Sequence, residues 1–244
     1  MQEHEPREVV PEVVPAPTLP PRRVAISRKT PIVTYAFIGI CVAMFLVQLA
    51  LQLYTHSTLG VSLYILGAKV NELIALGQWW RLIMPIFLHV DFQHILFNCL
   101  SLYIWGRQVE MLVGRLRVSV LFLAAGLYGV LFSFLFSQSM SAGASGAIFG
   151  LFGCLIYFRL RHKEIFNPVF GIQVLLIVGI NLFFGFTQGG IDNFGHIGGL
   201  IGGFLASVGM GLYKEKLRPW QIAALCLGVV FYFGALYYGV MRFY

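Results

Sequence analysis

The chain has 244 residues, 58% hydrophobic and 15% aromatic, and only 11% are charged, against roughly 25% in an ordinary soluble domain. That composition excludes a soluble globular protein and makes the chain an integral membrane protein. A net charge of +7 would suit nucleic acid, but the placement of the basic residues gives them a different purpose.

Residues 1–31 are polar and hold seven of the ten prolines. They lack the short apolar run and small-residue cleavage site of a signal peptide, so they are expected to form a disordered cytoplasmic tail. Seven apolar windows follow, at 32–54, 93–106, 116–138, 145–158, 168–186, 192–213 and 220–241. Two of them fall short of the about 20 residues that cross a hydrocarbon core of roughly 30 Å. Between the first two windows lies a 38-residue stretch from Thr55 to Phe92, apolar but broken by Gly67, Gly77 and Pro85. Such a segment suits the outer interface better than the bilayer core, and Trp79 and Trp80 fit an interfacial aromatic belt.

With the tail inside, fourteen of the seventeen Lys and Arg fall on inside segments, leaving Lys69, Arg81 and Arg242 outside. This is the positive-inside bias; it places the N-terminus inside and the C-terminus outside, and leaves a nucleic-acid reading little to explain. Cys41, Cys99, Cys154 and Cys226 occupy separate apolar windows, where thiols act as small hydrophobes and form neither a disulfide framework nor a zinc site.

The fourth window is short. Its inner end is set by Arg159, Arg161, His162 and Lys163, so a helix from Ser145 to Phe158 is about 21 Å long. Ser145 then lies about 9 Å below the outer surface of the core. The preceding stretch SQSMSAGA must descend into the membrane as irregular backbone, which is tolerated only where protein encloses it or water reaches it. A serine there can be a helix N-cap or a nucleophile.

Polar side chains inside spans raise a functional hypothesis. The second, fourth and sixth windows all run from outside to inside, which brings Ser145, His196, His94 and Asn98 to one face of the membrane. The same ruler sets His94 roughly 10 Å deep and His196 about 3 Å deep. His94 and Asn98 share a helix face. They can donate toward a common oxyanion or bind helices together as a polar pair. A metal site built from His89, Asp91 and His94 lacks the H-E-x-x-H pattern and a second cluster. Gly146 and Gly150 match small-residue pairs at Gly198, Gly199, Gly202 and Gly203. If those faces meet, His196 comes beside Ser145 as a base beside its nucleophile.

These residues resemble the rhomboid intramembrane serine proteases. The resemblance is carried by GASGAIFG around Ser145, HIGGLIGG from His196 and HILFN from His94 to Asn98, with weaker matches in WWRLIMPIFLH and in GRQVEMLVG around Glu110. It covers about residues 75 to 205. Two positions depart from the family pattern: Phe149 replaces a common Tyr, keeping the ring but losing the hydroxyl, and Gly195 replaces a common Ala. The resemblance implies an all-α polytopic membrane protein with a six-helix core over residues 32–213, and a linker with a seventh, C-terminal transmembrane helix over 214–244. It implies Ser145 and His196 as catalytic residues, His94 and Asn98 at the oxyanion, and Phe149, Gly143, Gly146 and Gly199 packing the site. No metal or other cofactor is implied. Its substrates would be single-span transmembrane proteins reached through the lipid bilayer near the fifth span, in a plasma or bacterial inner membrane. The oligomeric state is not indicated.

Two rival readings remain: a transporter, which predicts repeated halves that the sequence lacks, and a catalytically silent relative, which predicts loss of Ser145 or His196. The acids on the outer side are Glu72, Asp91 and Asp192. Burying Asp192 beside His196 would cost several kcal/mol. A dyad is therefore expected, with the His196 ring held by packing against Phe149.

Overall fold

In a computed structural model, residues 29–164, 166, 170, 172–188, 190–211 and 216–244 are described. The expected tail over residues 1–28, parts of the start of the fifth window, residues 212–213 at the end of the sixth window and the linker residues 214–215 lie outside them. Among the described residues the regular structure is helical, with a single antiparallel bridge between Lys69 and Ser141. The helices are α1 (Ile32–Thr55), α2 (Leu59–Leu66), α3 (Asn71–Ala75), α4 (Phe92–Ser101), α5 (Arg107–Val113), α6 (Arg115–Phe136), α7 (Ser145–Arg161), α8 (Gln173–Gln188), α9 (Asn193–Met210) and α10 (Pro219–Met241). Three of these, α1, α6 and α10, are long and apolar enough to cross a membrane.

The second window does not stop at Gly106. A π-helical turn over Leu102–Gly106 joins α4 to α5, and the helix runs on to Val113 before Gly114, at φ 86°, ends it. Gly106 is small because α1 packs there: a β-carbon at Gly106 would lie 2.8 Å from Thr34 Cγ2. Residues 92–113 thus extend about 33 Å, enough to span. The extension buries Glu110, whose carboxylate accepts from the Val33 and Thr34 amides at 3.2 and 2.8 Å and from the Thr34 hydroxyl at 2.8 Å. Pro31 gives α1 no side-chain cap. Glu110 therefore satisfies the orphan amides and the positive end of the α1 dipole.

The fourth window is also longer than expected, because α7 continues past Phe158 to Arg161 with Arg159 and Arg161 in its last turn. Cations there complement the helix dipole, so they belong to the helix and do not mark the point where it stops. The helix is about 26 Å long, and the estimated depth of Ser145 falls from about 9 to about 4 Å. Enclosure does not follow helix length. Every residue from Ala147 to Leu155 of α7 is buried, whereas α10 buries 17% of its most apolar window against 61% for α6.

Glycines set the distance between α7 and α9. A β-carbon at Gly199 would overlap the Gly146 carbonyl, and one at Gly203 would overlap the backbone of Gly150. No side chain fits between these backbones, so the two helices touch main chain to main chain. Tyr128 and Phe132 of α6 press on the other face of α9, against Gly198 and Gly202. The 38-residue interhelical stretch folds into α2, α3 and two 3-10 turns at Trp79–Leu82 and Met84–Phe87. Trp79 and Trp80 are half exposed, but Arg81 is buried and donates to the Ala68 and Tyr64 carbonyls at 2.8 and 2.9 Å.

Candidate active site

Ser145 is the first residue of α7, and Ala144 holds the N-cap position without a side-chain hydrogen bond. The Ser145 hydroxyl is therefore not the helix cap. Its Oγ lies 2.9 Å from Nε2 of His196, on a helix 51 residues further along the chain. The other ring nitrogen of His196, Nδ1, is buried and has no hydrogen-bond partner among the described residues. The imidazole lies flat on Phe149, with ring centroids 4.2 Å apart and planes 7° from parallel. Phe149 is one turn below Ser145 on the same helix, so α7 supplies both the hydroxyl and the surface that orients its partner.

The loop before Ser145 is shaped by Gly143, whose φ of 145° favours glycine. A β-carbon there would meet His94 Cε1 at 2.6 Å and Nε2 at 2.8 Å, and would stand 3.7 Å from Ser145 Oγ. Gly143 thus lets the His94 ring sit beside the serine. The Gly143 amide donates to the Pro85 carbonyl at 2.8 Å. Asn98 is buried one turn below His94, and its Nδ2 donates to the His94 carbonyl at 2.8 Å. The structure thus brings Ser145, His196, Phe149, Gly143, Gly146, Gly199 and His94 together, while the bond that fixes Asn98 lies within its own helix. A cavity of about 40 Å³ beside Ser145 is lined by Ser133, Ser141, Gly143, Gly146, Asp192 and Gly195 among others.

Two of the three outer acids cap helices. Asp192 accepts from the Gly195 amide at 3.0 Å at the start of α9, and Asp91 accepts from the His94 amide at 2.7 Å at the start of α4. No group of three or more metal-ligating side chains occurs among the described residues. Sequence reasoning passed over Lys69 and Asn71. Lys69 Nζ donates to the Ser137 and Ser139 carbonyls, both at 2.8 Å, and Asn71 Nδ2 to the Phe134 and Ser137 carbonyls at 3.3 and 2.9 Å. A lysine and an asparagine within an apolar interfacial stretch were the available signal.

The rhomboid domain model matches residues 76–213, more than half of the chain. The chain belongs to the rhomboid family. It is 44% identical over 210 residues to the rhomboid protease GluP of Bacillus subtilis, a match covering 86% of this chain and 41% of that protein. It is 37% identical to rhomboid-like protease 1 of Toxoplasma gondii, over 65% of this chain and 57% of that one. It is 27% identical to the rhomboid protease AarA of Providencia stuartii, over 79% of each. The chain therefore spans about half the length of the first two relatives. Family and apolar helices together make this rhomboid an integral membrane protein.

Proposed function

We propose that this rhomboid is an intramembrane serine endopeptidase that cleaves single-span membrane proteins in or near their membrane segment. The observation that carries the reading is the 2.9 Å approach of Ser145 Oγ to His196 Nε2. Ser145 attacks the scissile carbonyl while Nε2 takes its proton. Nε2 then returns the proton to the leaving amine, and water, activated in the same way, releases the acyl group. This requires Nδ1 to carry the resting proton. With no carboxylate bonded to Nδ1 among the described residues, the Phe149 stack fixes the ring, and the pair works as a dyad.

The developing oxyanion is held by the Ser145 amide, unpaired by its position in the first helical turn, together with His94 and Asn98. The positive end of the α7 dipole adds to this. The six-helix core comprises α1, the continuous α4–α5 helix, α6, α7, α8 and α9, with α10 as a seventh span. The N-terminus is inside, in a plasma or bacterial inner membrane. Substrate arrives past α8, whose Phe183, Phe184 and Phe186 face outward. An active-site-directed fluorophosphonate tests the serine directly: it should label the wild type and leave Ser145→Ala unlabelled. Equal labelling of both would refute the assignment.

A further inference from the structure

The eight residues 137–144 between α6 and α7 carry the backbone to Ser145. At membrane depth their peptide groups need partners within the protein. Those partners come from the stretch between α1 and α4. Lys69 is fully buried, and its ammonium donates to the Ser137 and Ser139 carbonyls at 2.8 Å each. Its backbone pairs with Ser141 in both directions, the Lys69 amide to the Ser141 carbonyl at 2.9 Å and the reverse at 3.2 Å. Asn71 caps the end of α6 through Phe134 and Ser137, and the Pro85 carbonyl takes the Gly143 amide. Arg81, bonded to the Ala68 carbonyl, fixes the segment from which Lys69 extends.

We propose that Lys69 is a positioning residue for Ser145: its ammonium and its backbone bridge form a template that sets the 137–144 loop and hence the serine against His196. The inference rests on the reading of Ser145 as nucleophile. Ser141 is four residues from Ser145, so a shift at the bridge is passed on within one short, constrained segment. Misplacing reacting groups by about 1 Å can cost on the order of 100-fold in rate. A cation at the C-cap carbonyl of α6, that of Ser137, also complements the dipole of that helix. Lys69 touches neither the hydroxyl nor the imidazole, so its effect reaches the reaction through geometry alone.

The test compares Lys69→Met, Lys69→Arg and the wild type in detergent, measuring fluorophosphonate labelling rate, kcat and KM on a single-span substrate. Lys69→Met should lower kcat and labelling about 10- to 100-fold, with KM changed less than about twofold. Lys69→Arg, which restores a cation and donors, should recover part of both. Lys69→Met that melts cooperatively yet labels and turns over like the wild type would overturn the proposal; so would a loss confined to KM. Hydrogen exchange on the wild type keeps the proposal testable should the variants not fold: the Ser141 and Gly143 amides, which donate to the Lys69 and Pro85 carbonyls, should exchange as slowly as α6, and rapid exchange of these two would refute the template. Wild type that fails to label would instead defeat the nucleophile assignment.

Discussion

At the residue scale, one hydroxyl and one imidazole meet at 2.9 Å, and the imidazole Nδ1 has no hydrogen-bond partner among the described residues; the first prediction concerns an acid at that position. Asp192→Asn should keep most of the activity, because asparagine caps a helix as well as aspartate does. His196→Ala should keep none. A folded Asp192→Asn protein as inactive as His196→Ala would call for a triad. Asn98→Ala should reduce kcat by up to about 100- to 1000-fold, with substrate affinity little changed, since a donor to the oxyanion acts on the transition state. Weaker binding with unchanged kcat would remove Asn98 from that role. Lys69 makes a prediction in pH. Burial brings its ammonium down from 10.5 to about 8, opposed by Asp192 at the start of α9 and Glu72 on α3. Its folded value is depressed, so its contribution to stability is complete above the unfolded value and lost as pH falls through about 8. The melting temperature of the wild type, relative to Lys69→Met, should therefore rise between pH 7 and 10; a flat difference would show that Lys69 does not titrate there. Ser145, His196, His94 and Asn98 were legible in the sequence as polar groups in apolar spans. Gly143 was legible only through the family resemblance, because the physical need for glycine there follows from a φ of 145° and a neighbouring ring 49 residues earlier in the chain.

At the scale of elements, hydropathy located the helices and misjudged two of their ends. Gly106 and Arg159 resemble stop signals, yet one is a close contact with α1 and the other a charge matched to the helix dipole. Neither can be distinguished from a terminus without knowing the neighbour. The α7–α9 contact was readable from spaced glycines, and it is sensitive. Gly199→Ala puts a methyl into the Gly146 carbonyl and should cost about 1–3 kcal/mol of stability together with activity. Gly179→Ala on α8, with nothing within 4 Å of the added carbon, should be neutral or slightly stabilising. Equal effects of the two substitutions, measured by unfolding in mixed micelles, would contradict main-chain contact between α7 and α9. Glu110→Ala leaves the α1 amides unsatisfied and should destabilise by about 2 kcal/mol or more. A change under about 0.5 kcal/mol would mean that the cap is dispensable.

At the scale of the whole molecule, two kinds of helix share the work: α1 and α10 face outward with apolar side chains, while α7 and α9 are enclosed and can carry glycine, serine and histidine. The glycine-rich helices α7 and α9 hold the chemistry because other helices surround them. The asymmetry of the basic residues predicts that a reporter fused after Tyr244 is active outside and silent in the cytosol; the opposite result would invert the topology. The central claim is that Ser145 and His196 form a working protease dyad in the bilayer. The most direct measurement is cleavage of a panel of single-span proteins by the purified chain reconstituted in liposomes, run in parallel with Ser145→Ala. The account predicts a discrete cut in or near the membrane segment by the wild type and none by the variant; cleavage by Ser145→Ala at the wild-type rate would contradict it.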